Sequence, residues 1–128
     1  MRPGAQAMVE FALTVSVFLL LVLGTFDVAR AYLTYTVMTN AVREDARYAA
    51  AHVGQPNWQT AAVQAGLNLA VGIDPNAMTL SQPTQQTIDG LPYISAQGTY
   101  RFHSVTPLVG ALLGDPINMQ VATSVPAG

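Results

Sequence analysis

The sequence predicts an α+β fold in which one long N-terminal helix carries a small head. The head is expected to contain one helix and a three- to four-stranded antiparallel sheet. Three observations predict this fold. Residues 11–26 carry no charge, residues 27–51 contain neither proline nor glycine, and the chain after residue 75 consists of short alternating segments between turn residues. Those patterns are typical of an apolar helix, a continuous helix and a sheet, respectively.

The first segment is apolar enough to enter a bilayer. Its only polar side chains between residues 11 and 26 are Thr14, Ser16 and Thr25. With its apolar neighbours it approaches the ~20 residues that cross the hydrocarbon, so we expect a transmembrane part at 8–26. Arg2 precedes it and most of the chain follows, which favours an N-in, C-out orientation. A cleaved secretory signal is the alternative, but the helical pattern continues through Asp27 without a break.

The second segment predicts that the same helix continues out of the membrane. Apolar and aromatic residues recur there at helical spacing: Val28, Tyr32, Tyr35, Met38, Val42, Ala46 and Ala49. Gly54 and Pro56 are the residues expected to end the helix. A single helix over 6–51 would be about 70 Å long at a rise of about 1.5 Å per residue. The apolar stripe of its outer half requires cover, so we expect the head, residues 52–128, to pack against it.

Charged and flexible positions on this helix have more than one interpretation. Asp27 with Arg30 and Glu44 with Arg47 are three residues apart, which suits ion pairs on one helix face or caps to loop backbone. Arg30 and Arg47 are also candidate subunit contacts. Gly24 with Thr25 is the weak place in the helix, because an interior glycine costs about 1 kcal/mol relative to alanine. It is either a helix–helix contact point or a site where the helix loosens.

The head begins with a second helix. Asn57 is its predicted N-cap, and Gly72 with Pro75 ends it. One face carries Trp58, Ala62, Ala65 and Leu69. We expect Trp58 to be a core residue, with carbohydrate binding as the alternative.

Four segments of the head are expected to be strands, at 77–81, 84–88, 93–104 and 117–123. In the third, Ala96, Gly98, Tyr100 and Phe102 alternate with polar residues, which predicts one covered and one solvated face. Residues 106–114 form an apolar connector, expected to contain about one helical turn. Its Leu108 and Val109 are candidate subunit contacts.

Composition argues against several functional classes. Charged residues make up 9% of the chain, against about 25% in ordinary soluble domains, so lipid or sister subunits are expected to cover much of the surface. The basic residues are five arginines that form no stripe for nucleic acid. There is no cysteine, and His52 and His103 have no metal-ligand spacing. We therefore expect no catalytic residue, no metal and no cofactor.

Three spaced blocks of the N-terminal helix resemble the TadE-like proteins of the Tad pilus systems, a branch of the type IV filament superfamily. The blocks are QAMVEFAL at 6–13, GTFDVARAY at 24–32 and TNAVREDARYAA at 39–50. The resemblance covers roughly the first 50 residues, and it implies a pilin-like fold.

The resemblance also implies a short leader, residues 1–5, that a prepilin peptidase removes. Gly4, Ala5 and Gln6 form the expected processing site. A cut after Gly4 follows glycine but makes Glu10 the sixth residue, whereas a cut after Ala5 makes Glu10 the fifth. Glu10, with the adjacent Phe11, is then the expected assembly site. Its carboxylate would pair with the freed N-terminal amine, because a charge at membrane depth normally finds a partner.

Two functions follow as expectations. The first is a structural pilin that polymerises through the long helix into an extracellular filament for adhesion or surface attachment. The second is a membrane-resident minor pseudopilin or accessory that primes assembly or secretion. Expected partners are copies of the chain or other pilins, the inner-membrane assembly machinery, prepilin peptidase, and membrane lipid before assembly. A ligand-binding or enzymatic ectodomain on an anchor is the third and least favoured interpretation.

Overall fold

A single helix dominates the computed structural model, which describes residues 2–128. Helix α1 spans Pro3–His52, 50 residues, and is about 75 Å long at a rise of about 1.5 Å per residue. Pro3 stands at its first turn, where the missing N–H costs nothing. The helix ends before Gly54, whose φ of +85° suits only a residue without Cβ. The predicted long helix is confirmed.

Helix α2, Trp58–Leu69, packs against α1 through its smallest residues. Ala62 and Gly66 are buried, and a Cβ added at Gly66 would lie 2.7 Å from the carbonyl oxygen of Ala41. Of the face that carries Trp58, Ala62, Ala65 and Leu69, Ala62 is fully buried and Leu69 is about half exposed. Asn57 does stand at the N-cap, but its left-handed backbone (φ 60°) leaves it without a side-chain cap hydrogen bond.

The sheet is built around one long central strand. Its strands are β1 (Met78–Leu80), β2 (Thr84–Ile88), β3 (Leu91–Phe102) and β4 (Ile117–Pro126). Strand β4 runs antiparallel along one edge of β3, while β1 and β2 share the other edge end to end. The gap between β1 and β2 contains Pro83, which has no N–H for a ladder bond. The predicted antiparallel sheet is confirmed with four strands.

The core lies between the inner face of β3 and the outer half of α1. Every second residue of β3 is buried there: Ile94, Ala96, Gly98, Tyr100 and Phe102. Ala96, Tyr100 and Phe102 form one cluster with residues of α1 that include Met38 and Val42. Ile94 packs in a second cluster with Ala49 and Ala62. A Cβ at Gly98 would lie 2.8 Å from a methyl carbon of Val42, so glycine lets the strand approach the helix closely. The predicted alternation of β3 is confirmed.

The apolar connector of the head is more regular than predicted. Helix α3 spans Pro107–Leu113, seven residues, with Thr106 at its N-cap and Gly114 at its C-cap. It is a second helix of the head rather than a single turn. Proline at its first position and glycine just beyond its end are the residues that helix termini favour. None of its residues is buried.

Candidate membrane and assembly interface

The inner half of α1, residues 3–26, is largely uncovered by the rest of the chain and is called the bare half. The buried residues of α1 begin at Asp27. Before Asp27 nearly every side chain is exposed, including Phe11 (70%) and Phe18 (62%). The most apolar stretch of 18 residues in this helix has a mean hydropathy of 2.3, and none of it is buried. By length and composition α1 can therefore cross a membrane. An apolar surface of this size calls for lipid or protein cover.

The three hydroxyl side chains of this half form hydrogen bonds within the helix. The hydroxyls of Thr14, Ser16 and Thr25 donate to the carbonyl oxygens four residues earlier, at 2.9, 2.8 and 2.9 Å. Such hydrogen bonds need no water. The hydroxyls therefore add little to the cost of placing α1 in an apolar environment.

Glu10 is a charged residue of the bare half, and the hydrogen bonds described above do not involve its carboxylate. Both Glu10 and Phe11 are exposed on α1. Within residues 2–128, the ion pairs of the structure do not include Glu10. Its carboxylate is thus available to a group outside the described chain, which is what an assembly contact requires.

The expected processing site lies in the first turns of α1. Gly4, Ala5 and Gln6 are exposed, and the amides of Ala5 and Gln6 donate to the carbonyl oxygen of Arg2 at 2.9 and 3.3 Å. Processing after Gly4 or after Ala5 stays a prediction.

Gly24 and Thr25 lie opposite α3. The backbone remains helical through both residues, and a Cβ added at Gly24 would lie 3.9 Å from a methyl carbon of Val109. Leu108 and Val109 line an apolar groove with Leu20, Leu21 and Val28 of α1. Gly24 is thus a helix–helix contact point in this state, within the subunit. A change in the helix on assembly stays a prediction.

Asp27 marks the border between the bare and the covered halves of α1. Its side chain is only 2% exposed. Its carboxylate accepts the backbone N–H of Val105, at 3.0 Å to each oxygen, and that of Thr106, at 2.6 Å. These amides hold the pKa of Asp27 below its ordinary value. One carboxylate therefore joins the membrane end of the head to α1.

The structure shows both interactions expected for Asp27, an ion pair with Arg30 and a cap to loop backbone. The burial of Asp27 was not predicted. Thr106 before Pro107 signals the start of a helix. The sequence alone could not indicate that the acceptor for its first amides lies 79 residues earlier.

The two candidate contact arginines differ in their surroundings. Arg30 lies 3.2 Å from Asp27 Oδ1 and stacks above the Phe102 ring, 5.2 Å from its centroid. Arg47 Nε lies 3.3 Å from Glu44 on a side chain that is 80% exposed. Arg30 thus supports the Asp27 contact, while Arg47 is free to meet a neighbouring molecule at little cost, because exposed ion pairs are weak.

Asp45 is a buried carboxylate that sequence reasoning missed. It is fully buried beside α2, its Cβ 3.1 Å from the position a Gly66 Cβ would take. Within the described chain neither carboxylate oxygen has a hydrogen-bond partner. Burial raises its pKa to about 6. Its sequence signal is weak, since Asp45 sits between Glu44 and Ala46 in a run that resembles a solvated helix face.

The remaining polar groups of the head form no candidate centre. His103 Nδ1 lies 3.2 Å from Asp115 on an exposed surface. Among residues 2–128 no group of three or more histidine and acidic side chains could hold a metal ion.

Comparison with known proteins concerns the N-terminal helix. Residues 5–47 match the family model described as TadE-like protein. Neither the curated proteins nor the solved structures gave a match. The matched segment contains the bare half of α1, the Asp27 border and the part of the outer half that reaches Arg47, and it leaves α2, the sheet and α3 outside. The predicted resemblance is confirmed: residues 5–47, within the long N-terminal helix, are similar to TadE-like proteins.

Proposed function

We propose that the chain is a non-catalytic structural subunit, a pilin of a Tad-type pilus, that polymerises through α1 into an extracellular filament for adhesion or surface attachment. The observation that carries the proposal is the bare apolar half of α1. The outer half of the same helix is already covered by the sheet and α2. Before assembly the bare half lies in the inner membrane, with the N-terminus inside and the head outside. In the filament the same surface is buried among the α1 helices of neighbouring subunits.

Glu10 gives this polymerisation its register. A prepilin peptidase cuts after Gly4 or Ala5 and frees an amine close to the bare half. The Glu10 carboxylate of one subunit pairs with such an amine, of its own chain or of a neighbour. An unpaired charge in an apolar core is costly, so subunits packed out of register are disfavoured.

The test uses a Glu10→Gln variant, with Glu44→Gln as the control on the same helix. Surface fibres are sheared from cells and purified, and the chain is quantified in the fibres and in the membrane fraction. We expect Glu10→Gln to remain at its normal level in the membrane and to be lost from fibres, while Glu44→Gln enters fibres normally. Fibres of normal yield with Glu10→Gln would contradict the assembly role. Mass spectrometry of the N-terminus locates the cut in the same preparation.

The head favours a second candidate function. A pilin reduced to its helix needs no sheet, whereas this chain has four strands folded on α1. In having a head, it resembles the minor TadE-like proteins. The alternative is therefore a minor pseudopilin or accessory that primes assembly or secretion. If the chain is a trace component of fibres and stays mainly in the membrane fraction, this second function replaces the first.

A further inference from the structure

Helix α3 occupies an unusual level along α1. It is part of the head, yet the groove it shares with α1 is lined by Leu20, Leu21 and Gly24. These residues belong to the half of α1 that can cross a membrane. The rest of the head packs on α1 beyond Asp27, where the buried residues of the helix begin. When α1 is in a membrane, α3 is therefore brought to the bilayer by its contact with α1.

The depth of this contact follows from helix geometry. If the transmembrane part ends at Phe26, then Leu21 lies about 8 Å and Gly24 about 3 Å below that end, at a rise of about 1.5 Å per residue. Helices that lie in a membrane interface bury their apolar face by about 5–10 Å. The depth of Leu21 falls within this range, and Gly24 lies just above it.

The surface of α3 suits lipid. No charged residue occurs in residues 105–114. Leu112 and Leu113 are 74% and 69% exposed, and Val105 just before the helix is 71% exposed. The polar N–H groups that precede α3 are already bound by the Asp27 carboxylate. Entering the interface would therefore cover large apolar side chains and leave these two amides satisfied.

We propose that α3 is a second membrane contact of the subunit, an interfacial helix whose Leu112 and Leu113 lie among the acyl chains of the phospholipid leaflet on the head's side. The occupant is lipid because this surface continues the apolar surface of α1 at the same level. The contact fixes the head against the bilayer before assembly. It requires that α1 is anchored in a membrane, and it holds whether or not the chain later polymerises.

The sequence contains no cysteine, so a single introduced cysteine can be labelled specifically to test the proposal. Leu112→Cys in the full chain is labelled with a nitroxide and placed in vesicles of equal parts phosphatidylcholine and phosphatidylglycerol. Collisions with oxygen, which concentrates in lipid, are compared with collisions with a water-soluble nickel chelate. Leu23→Cys on α1 is the lipid reference. Val71→Cys, 75% exposed on the head, is the water reference.

We expect the label at Leu112 to resemble that at Leu23, with a several-fold higher ratio of oxygen to nickel collisions than at Val71. Ala111→Cys is a second labelling site on α3, for which we expect the same high ratio. It replaces Leu112→Cys if the label at Leu112 disturbs the fold. Trp58 fluorescence reports whether the head is folded in each variant. A ratio equal to that at Val71 on both α3 sites overturns the proposal. A high ratio that falls when the protein is diluted in lipid also overturns it, because a second copy then covers α3.

Discussion

Replacing Asp45 by asparagine should change how the stability of the head depends on pH. Asp45 is fully buried without a hydrogen-bond partner, and its pKa is raised from 3.8 to about 6. The folded chain therefore binds more protons than the unfolded chain between these two pH values. Stability falls as the pH rises through this window and is constant above it. Asparagine keeps the shape of the side chain and removes the titration.

The size of the effect follows from the two pKa values. A gap of roughly two units, at about 1.4 kcal/mol per unit, corresponds to at most ~3 kcal/mol. The asparagine amide also lacks a partner, which costs about 1–3 kcal/mol at every pH. The difference in stability between Asp45→Asn and the unchanged chain should thus move in favour of the variant by about 2 kcal/mol between about pH 4 and pH 7. The contribution of Asp27 is present in both proteins and cancels.

The assay is denaturant unfolding of the full chain in detergent, followed by the fluorescence of Trp58. This tryptophan is the only one in the sequence and packs near Ala49, Ala62 and Ile94. Glu44→Gln is the control, because its partly exposed carboxylate should shift stability by no more than about 0.5 kcal/mol. A constant difference between Asp45→Asn and the unchanged chain over this pH range would refute the reasoning, since Asp45 would then titrate alike in both states.

Three further predictions concern the packing of the head. Asp27→Ala should release α3, seen as faster hydrogen exchange of the Val105 amide at neutral pH; unchanged exchange would mean that the carboxylate does not hold this loop. Gly66→Ala should destabilise by about 1–3 kcal/mol, since its Cβ would overlap α1, while Gln64→Ala on the exposed face of α2 should change little; equal effects would exclude close packing as the cause. Ile94→Ala should cost about 2–5 kcal/mol through the cavity it leaves, and a loss below about 1 kcal/mol in denaturant unfolding would place Ile94 outside the core.

The sequence predicts this fold well where periodicity decides the structure. Residues 11–26 of α1 carry no charge, the outer half of the helix follows the helical period, and β3 alternates with period two. Each pattern is local, so a single sequence is enough to reveal it. The confirmed match of residues 5–47 lies in the same region, where three blocks share one helix.

Contacts between distant segments were out of reach of the sequence. The partner of Asp27 is the backbone at Val105, and backbone amides leave no trace in a residue pattern. Asp45 looked like a surface charge because its burial depends on the approach of α2 at Gly66.

The hydrogen bonds of Asp27 also impose an order in time. Thr106 is made 79 residues after Asp27, and a ribosome that adds about 5–20 residues per second needs roughly 4–16 s for that distance. During this interval the bare half of α1 can already enter the bilayer, with the Asp27 charge resisting further movement into the lipid. The head then closes on a helix that is already made, because the Val105 and Thr106 amides that bind Asp27 follow it in the chain.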